Sequence, residues 1–407
     1  VWYNDIIERG IYMFEINSKH GVVKVFATTI EDEAIGQIIE MANSPLGENA
    51  HIRIMPDAHA GKGCTIGTTM RITDKVCPNL IGVDIGCGVN LMVLNETIED
   101  RLEELDKVIR ENIPYGMNVH ENPQINEEYF ARNLYCWESL KKETKETAIR
   151  ALGSLGGGNH FIEAYGGGTV GAISVHSGSR NIGYKVAQYY QNLAEKNLDK
   201  SNREDFSELL KEVPPQERES FIKKYKEENP PIKKDLAYLV GEEMKHYLHD
   251  MRFMQKFAEL NRGTMLQIIQ NWMDLSVSQV ITSTHNYISD DNILRKGAIS
   301  ARRGELLVIP MNMRDGLLVC RGLGNEDWNN SAPHGAGRLY SRSKAKELFS
   351  VDDYRMSMEG IYTTCVNEST LDEAPFVYKD QKEIEEAIQP TVIVEDHLIP
   401  IYNFKAN

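Results

Sequence analysis

Apolar and polar positions alternate along residues 11–30, most clearly in GVVKVFA, and this period of two predicts strands. The next run, EDEAIGQIIEMA, starts acidic and then repeats its apolar positions at helical spacing, predicting an amphipathic helix from Asp32 to Ala42. Residues 51–67, HIRIMPDAHAGKGCTIG, read as a short strand followed by a glycine-rich polar loop, and a strand over 79–85 is expected to run into the segment GVDIGCGVN. Residues 99–112 form a solvated helix with one aliphatic face, and 127–150 read as further helix, dense in both charge signs and carrying no chemistry. Composition then changes at LGSLGGGNHFIEAYGGG, residues 152–168, which is followed by a strand, VGAISVHSGSR, ending on His176. Residues 182–198 are helical. A charged, peripheral insertion over 199–235 is punctuated by Pro214-Pro215 and Pro230-Pro231, and its simplest form is a solvated helical hairpin. A long helical stretch over 236–273 is expected to break near Asn261-Arg262-Gly263. From residue 282 strands and loops dominate, with a glycine loop opening a basic helix in SAPHGAGRLYSRSKAKELF and a last strand or two in TVIVEDHLIPIYNFKAN.

With 407 residues, 41% of them hydrophobic, the chain can bury a large core. No repeat or flexible linker divides it, so one interwoven domain over 1–407 is expected. The net charge of -15 argues against a surface that coats nucleic acid, yet its distribution leaves room for a basic cleft. Residues 350–407 hold twelve acidic and four basic residues, whereas the stretches around Arg180, 295–303 and 338–346 are locally basic. Six scattered cysteines, with no paired spacing, point to reduced thiols. No eighteen-residue apolar run and no secretory pattern in the opening residues are seen, so a cytoplasmic protein without a membrane partner is expected.

Chemistry enters through GVDIGCGVN, where Asp84 and Cys87 stand three residues apart among glycines that permit the tight turns needed for both to reach one metal. Taken alone, the segment is equally a strand ending in a turn with an inert buried Cys87. Five further motifs set a histidine beside small residues: PDAHAGKG (His59), GGGNHFIE (His160), SVHSGSR (His176), STHNYI (His285) and APHGAGR (His334). Mixed Asp, Cys and His donors suit Zn²⁺ or Mn²⁺, and a shared cysteine sulfur could bridge two ions, the usual device for phosphate chemistry. Glycine loops with a nearby arginine, before Asn159, at Gly178 to Arg180 and at Gly335 to Arg338, offer N–H groups to phosphate.

Together MPDAHAGKG, GVDIGCGVN, LGGGNHFIE, HSGSR, RKGAISAR, GLGNE and HGAGR, in this order along nearly the whole chain, resemble the RtcB family of RNA ligases. The resemblance implies an α+β fold, a single domain with central mixed β-sheets flanked by helices around a deep metal-binding cleft. It implies joining of RNA 3′-phosphate or 2′,3′-cyclic phosphate ends to 5′-hydroxyl ends with GTP and two Mn²⁺ ions, in tRNA splicing or RNA repair, and it admits an archease-like activator. Carried over by motif, Asp84, Cys87, His160, His176 and His285 would be metal ligands and His334 the nucleophile that takes GMP. Asp57 is expected to orient the His334 ring. Asn159, Glu163, Gly335, Ala336, Gly337 and Lys405 would hold the nucleotide, Glu163 accepting from the guanine N1–H and amine. Arg180 and Arg338 read as RNA-phosphate clamps.

One departure stands out. Where many relatives carry Pro-Gly-Ser-Met-Gly, this chain has Pro310-Met311-Asn312-Met313-Arg314-Asp315-Gly316, which restricts backbone approach to a nucleotide. It keeps two alternatives open: a dinuclear-metal phosphoesterase or RNA 3′-end guanylyltransferase that does not ligate, and an inactive RNA-binding protein.

Overall fold

The computed structural model describes residues 4–8, 11–61, 63–228 and 232–406. Two large sheets dominate. The first orders the strands Asn4–Glu8, Ile11–Ser18, Gly21–Val25, Arg53–His59 (β1), Ile66–Arg71, Ile293–Lys296 and Tyr287–Ile288. It is mixed, because Gly21–Val25 runs parallel to β1 while its other pairings are antiparallel. The predicted helix forms over Asp32–Asn43 and buries Ala34, Ile38, Met41 and Ala42, the i, i+4 spacing that the pattern required.

The second sheet carries most of the chemistry. Its main path runs through Gly88–Leu94 (β2), Phe161–Gly166 (β3) and Ala172–Ser177 (β4), then, beyond two long helices at Arg180–Glu212 (α1) and Gly241–Met273 (α2), Val277–Thr284 (β5), Leu306–Pro310 (β6), Leu317–Gly322 (β7) and Val392–Lys405 (β8), with a short eighth strand, Tyr362–Thr363, pairing parallel to β8. Along that path the strands are ordered β5-β2-β4-β3-β8-β7-β6, each hydrogen-bonded antiparallel to the next. The sheet curls until its two ends meet, where the Val308 N–H of β6 donates to Ser283 Oγ of β5 at 2.8 Å. Period-two alternation separates the faces. Ile162, Ala164, Ile173 and Val175 pack with Met265, Leu266 and Ile269 of α2, whereas Val89, Leu91, Phe161, Tyr165, Ile281 and Val308 form an inner cluster. His176 shares the inner face with Ala172 and Ser174, so strand parity aims it into the curl.

Four expectations need correction or refinement. Residues 79–85 are not a strand: a 3₁₀ turn at Pro78–Leu80 leads into irregular chain, and the strand begins after the motif, at Gly88. Leu80, Ile81 and Ile85 are fully buried, which produced the strand-like pattern, but Gly82 and Gly86 at φ +99° and +70° cannot continue a ladder. Residues 127–150 hold two short helices, Glu127–Ala131 and Lys142–Ala148, since the buried Asp250 captures the Tyr135 and Cys136 N–H groups between them. α2 runs unbroken through Asn261-Arg262-Gly263, because both polar side chains find buried partners and Gly263 opens to free space at a helix cost of only about 1 kcal/mol. The 199–235 insertion starts as a continuation of α1 and returns through a helix at Arg218–Glu228; its Pro230-Pro231 breaker lies outside the described residues.

Candidate metal centre and nucleotide pocket

Five side chains from four separate segments converge where β2 and β4 begin and end. Cys87 sits one residue before β2, His176 near the end of β4, His160 just before β3, and His285 just after β5, its N–H donating to the Cys87 carbonyl at 2.7 Å. Their donor atoms form two groups, Cys87, His176 and His285, and Asp84, Cys87 and His160, with all donors in a group within 4.8 Å of one another. Cys87 belongs to both. Its Sγ lies 3.2 Å from His176 Nε2 and 3.5 Å from His160 Nε2, while His160 Nε2 lies 3.0 Å from Asp84 Oδ2. His176 Nδ1 donates to the Asn159 carbonyl at 3.1 Å, which leaves the Nε2 lone pair facing His285 Nε2 at 3.4 Å. Close packing holds Asp84 in place: a Cβ on Gly178 would fall 2.0 Å from Asp84 Oδ1.

Burial, the largest influence, pushes His176 and His285 well below the ordinary imidazole range, so both are neutral donors. Burial and then the neighbouring Asp84 raise the Cys87 thiol. Asp84 itself is lifted by burial but pulled down overall by the hydrogen bond and charge of His160. Two converging donor sets of mixed N, S and O type, sharing one sulfur, fit a pair of borderline divalent cations.

His334 faces this cage, its ring centroid 4.8 Å from that of His285. Asp57, fully buried at the end of β1, accepts from His334 Nδ1 at 2.6 Å and from the His334 N–H at 3.2 Å. The ring therefore presents Nε2 outward. His59, the fifth histidine motif, donates its Nδ1 to the Asp57 carbonyl at 3.0 Å, and burial lowers its pKa.

A cleft of about 560 Å³ joins the two halves and is lined by His176 and His334, by Asn159, Phe161, Glu163 and Lys405, and by Gly335, Ala336, Gly337 and Arg338. That volume suits a nucleotide-sized ligand. Glu163 accepts from Tyr165 OH at 2.7 Å and from Asn403 Nδ2 at 2.6 Å, and burial raises its carboxyl to about 7. Asn403 Oδ1 is buried without a hydrogen-bond partner. Lys405 Nζ donates to Glu373 at 3.0 Å. Burial alone would raise Glu373, but Lys405, Arg338, Arg342 and the Tyr378 hydroxyl outweigh it and hold the carboxyl at about 2. Arg338 donates to Glu373 at 3.2 Å and stacks over the Tyr378 ring. Arg180 starts α1, with its Nε on Ser154 Oγ and its Nη2 on the Gly116 carbonyl, both at 3.0 Å.

Met311, Asn312 and Met313 line the same cleft. Their loop is braced from within, where Asn312 Oδ1 accepts the Arg314 and Asp315 N–H groups, and from outside, where Tyr354 OH donates to Met313 Sδ at 2.9 Å. Glu373, Tyr378 and Arg342 also border the cleft, although no short motif marks them.

Fold and site define a mixed α+β protein in which a cysteine-centred, histidine-rich cage of metal-ligand type opens onto a nucleotide-sized cleft. The family described as tRNA-splicing ligase RtcB matches residues 37–137 and 134–406. The RNA-splicing ligase RtcB of Escherichia coli K12 is 33% identical over 390 residues, covering 86% of this chain and 88% of that protein. The tRNA-splicing ligase RtcB of Aeropyrum pernix is 28% identical over 422 residues, covering 80% and 82%, and the RNA-splicing ligase RtcB homolog 2 of Entamoeba dispar 27% over 426, covering 82% and 76%. The chain belongs to the RtcB family. Among the described residues no helix is long and apolar enough to cross a membrane.

Proposed function

We propose that the protein is a GTP- and Mn²⁺-dependent RNA ligase that joins 3′-phosphate or 2′,3′-cyclic phosphate ends to 5′-hydroxyl ends through a histidine-linked GMP. The observation that carries this reading is that His334, held by Asp57, stands beside the Cys87-centred cage, with His334 and the cage residue His176 lining one cleft. Asp84, Cys87, His160, His176 and His285 would hold two Mn²⁺ ions, which when bound neutralise phosphate charge and polarise the reacting phosphoryl groups.

The chain's own groups do the rest. Asp57 accepts the Nδ1 proton of His334, so the Nε2 lone pair is free to attack the α-phosphorus of GTP; an N–P bond forms and the bond to pyrophosphate breaks. Glu163 discriminates guanine by accepting from its N1–H and amine, with Lys405 beside the nucleotide and Asn159 and the 335–337 backbone at its phosphate. A 2′,3′-cyclic end is first hydrolysed by water to a 3′-phosphate; a 3′-phosphate oxygen then takes GMP as the N–P bond breaks, regenerating His334. Attack by the 5′-hydroxyl on the activated end releases GMP and forms the phosphodiester. Arg180 and Arg338 are assigned to the RNA backbone, in tRNA splicing or RNA repair, with an archease-like activator as a partner. A cytoplasmic setting suits the six cysteines, all free and buried.

Ligation of a defined 3′-phosphate and 5′-hydroxyl RNA pair with Mn²⁺, comparing GTP with ATP, tests the reading. Joined product with GTP and none with ATP is expected. Guanylated 3′ ends that never join would convert the assignment to a non-ligating guanylyltransferase.

A further inference from the structure

α2 passes behind the cage, and Asn261 and Arg262 on it are fully buried there. Arg262 spreads its guanidinium among the segments that carry the cage. Nη1 donates to the Gly86 and Ser177 carbonyls at 2.9 and 2.8 Å, Nε to Asn90 Oδ1 at 2.7 Å, and Nη2 reaches Thr284 Oγ1 at 3.5 Å. Gly86, Ser177 and Thr284 are the chain neighbours of Cys87, His176 and His285, so one side chain ties together every segment of one donor group. Space for the fork comes from Gly88, where a Cβ would fall 3.2 Å from Arg262 Cζ and 2.4 Å from the Ser283 carbonyl oxygen. Asn261 extends the tie, accepting the Gly153 and Ser154 N–H groups at 2.7 and 3.1 Å and donating to the Gly178 carbonyl at 3.2 Å.

Burying a guanidinium this completely is costly unless its donors are paired, and its rigid planar fork fixes the angles between acceptors in a way an ammonium cannot. Two of the four acceptors are backbone carbonyls next to ligands and a third is the Thr284 hydroxyl beside His285, so the fork fixes where the ligands stand. We infer that Arg262 is a positioning residue of the metal centre, setting the mutual spacing of Cys87, His176 and His285 and through it the affinity for the cations. This rests on the Mn²⁺ reading of the cage.

The test is calorimetric titration of the full chain with Mn²⁺, with the bound-ion EPR spectrum and thermal melting as parallel readouts. It compares wild type, Arg262→Lys, Asn90→Ala and Arg295→Lys. Arg295 is a second fully buried arginine, bonded to Ser331 Oγ, Ser289 Oγ, Tyr287 OH and the Asn329 and Asn330 carbonyls, none of which is adjacent in sequence to a cage donor, and it controls for loss of a buried fork as such. Arg262→Lys is expected to weaken Mn²⁺ binding by about 10–100-fold, Asn90→Ala by less, and Arg295→Lys not at all despite a lowered melting temperature. Wild-type Mn²⁺ affinity in Arg262→Lys overturns the inference, as does an equal loss in Arg295→Lys. If Arg262→Lys does not fold, unchanged affinity in Asn90→Ala overturns it. Wild-type protein that takes up no Mn²⁺ fails the metal reading itself, and the inference with it.

Discussion

His334 Nδ1 lies 2.6 Å from Asp57 Oδ2, and the same carboxylate oxygen accepts the His334 backbone N–H at 3.2 Å. Ring and backbone are therefore oriented by one fully buried group. Asp57→Asn keeps the shape but not the charge that fixes the tautomer. In single-turnover assays with labelled GTP it is expected to slow formation of the covalent GMP adduct by about 100-fold or more, with little change in melting temperature. Adduct formation at the wild-type rate would remove Asp57 from the mechanism.

Because Cys87 belongs to both donor groups while His285 belongs to one, the two residues should differ in metal stoichiometry. Cys87→Ala is expected to abolish tight binding of both ions, and His285→Ala to leave one. Equilibrium dialysis followed by elemental analysis distinguishes these outcomes, and equal stoichiometry in the two variants would contradict a shared sulfur.

Glu163 gives the site a pH signature. Burial raises its carboxyl to about 7, against an ordinary value of 4.5. Between these values the folded protein keeps a proton that the unfolded chain has released. The stabilising contribution is thus complete below about pH 4.5 and is lost as pH rises through about 7. Denaturant unfolding of wild type and Glu163→Gln should show their stability difference shifting against wild type by about 3 kcal/mol across that window. GTP affinity should rise over the same window if, as proposed, the ionised carboxylate accepts from guanine. A difference independent of pH would contradict this reading.

Glu373 behaves oppositely. Its carboxyl, held at about 2 by Lys405, Arg338 and their neighbours against the effect of burial, contributes stability that is present above about pH 4.5 and lost as pH falls towards 2. Glu373→Gln leaves the buried Lys405 without its counter-charge and is expected to cost roughly 3–5 kcal/mol at neutral pH, measurable by denaturant unfolding. A change within experimental error would mean that Lys405 finds another partner.

Much of this site was legible in the residue order. Asp84, Cys87 and the histidines at 160, 176, 285 and 334 stand in short glycine-flanked motifs, where backbone sterics restrict what else the segment can be, and the structure brings all six to one place. Glu373 was not legible: it lies in an acidic C-terminal segment that looks like solvated surface, and only the fold sets it against Lys405 and Arg338. Arg262 was hidden differently. A polar pair beside glycine resembles a helix break, and its role emerges only when α2 is laid behind β2 and β4. The false strand at 79–85 arises because Leu80, Ile81 and Ile85 are buried while the equally apolar Val83 is exposed, so the apolar run matches a strand in composition without sharing its geometry.

The most direct measurement is peptide mapping by mass spectrometry after incubation with GTP and Mn²⁺. The account expects a single acid-labile GMP on His334, formed with GTP and not ATP, lost in His334→Ala and discharged on addition of RNA carrying a 3′-phosphate. RNA joining that proceeds with no GMP on His334 at any time point would contradict it.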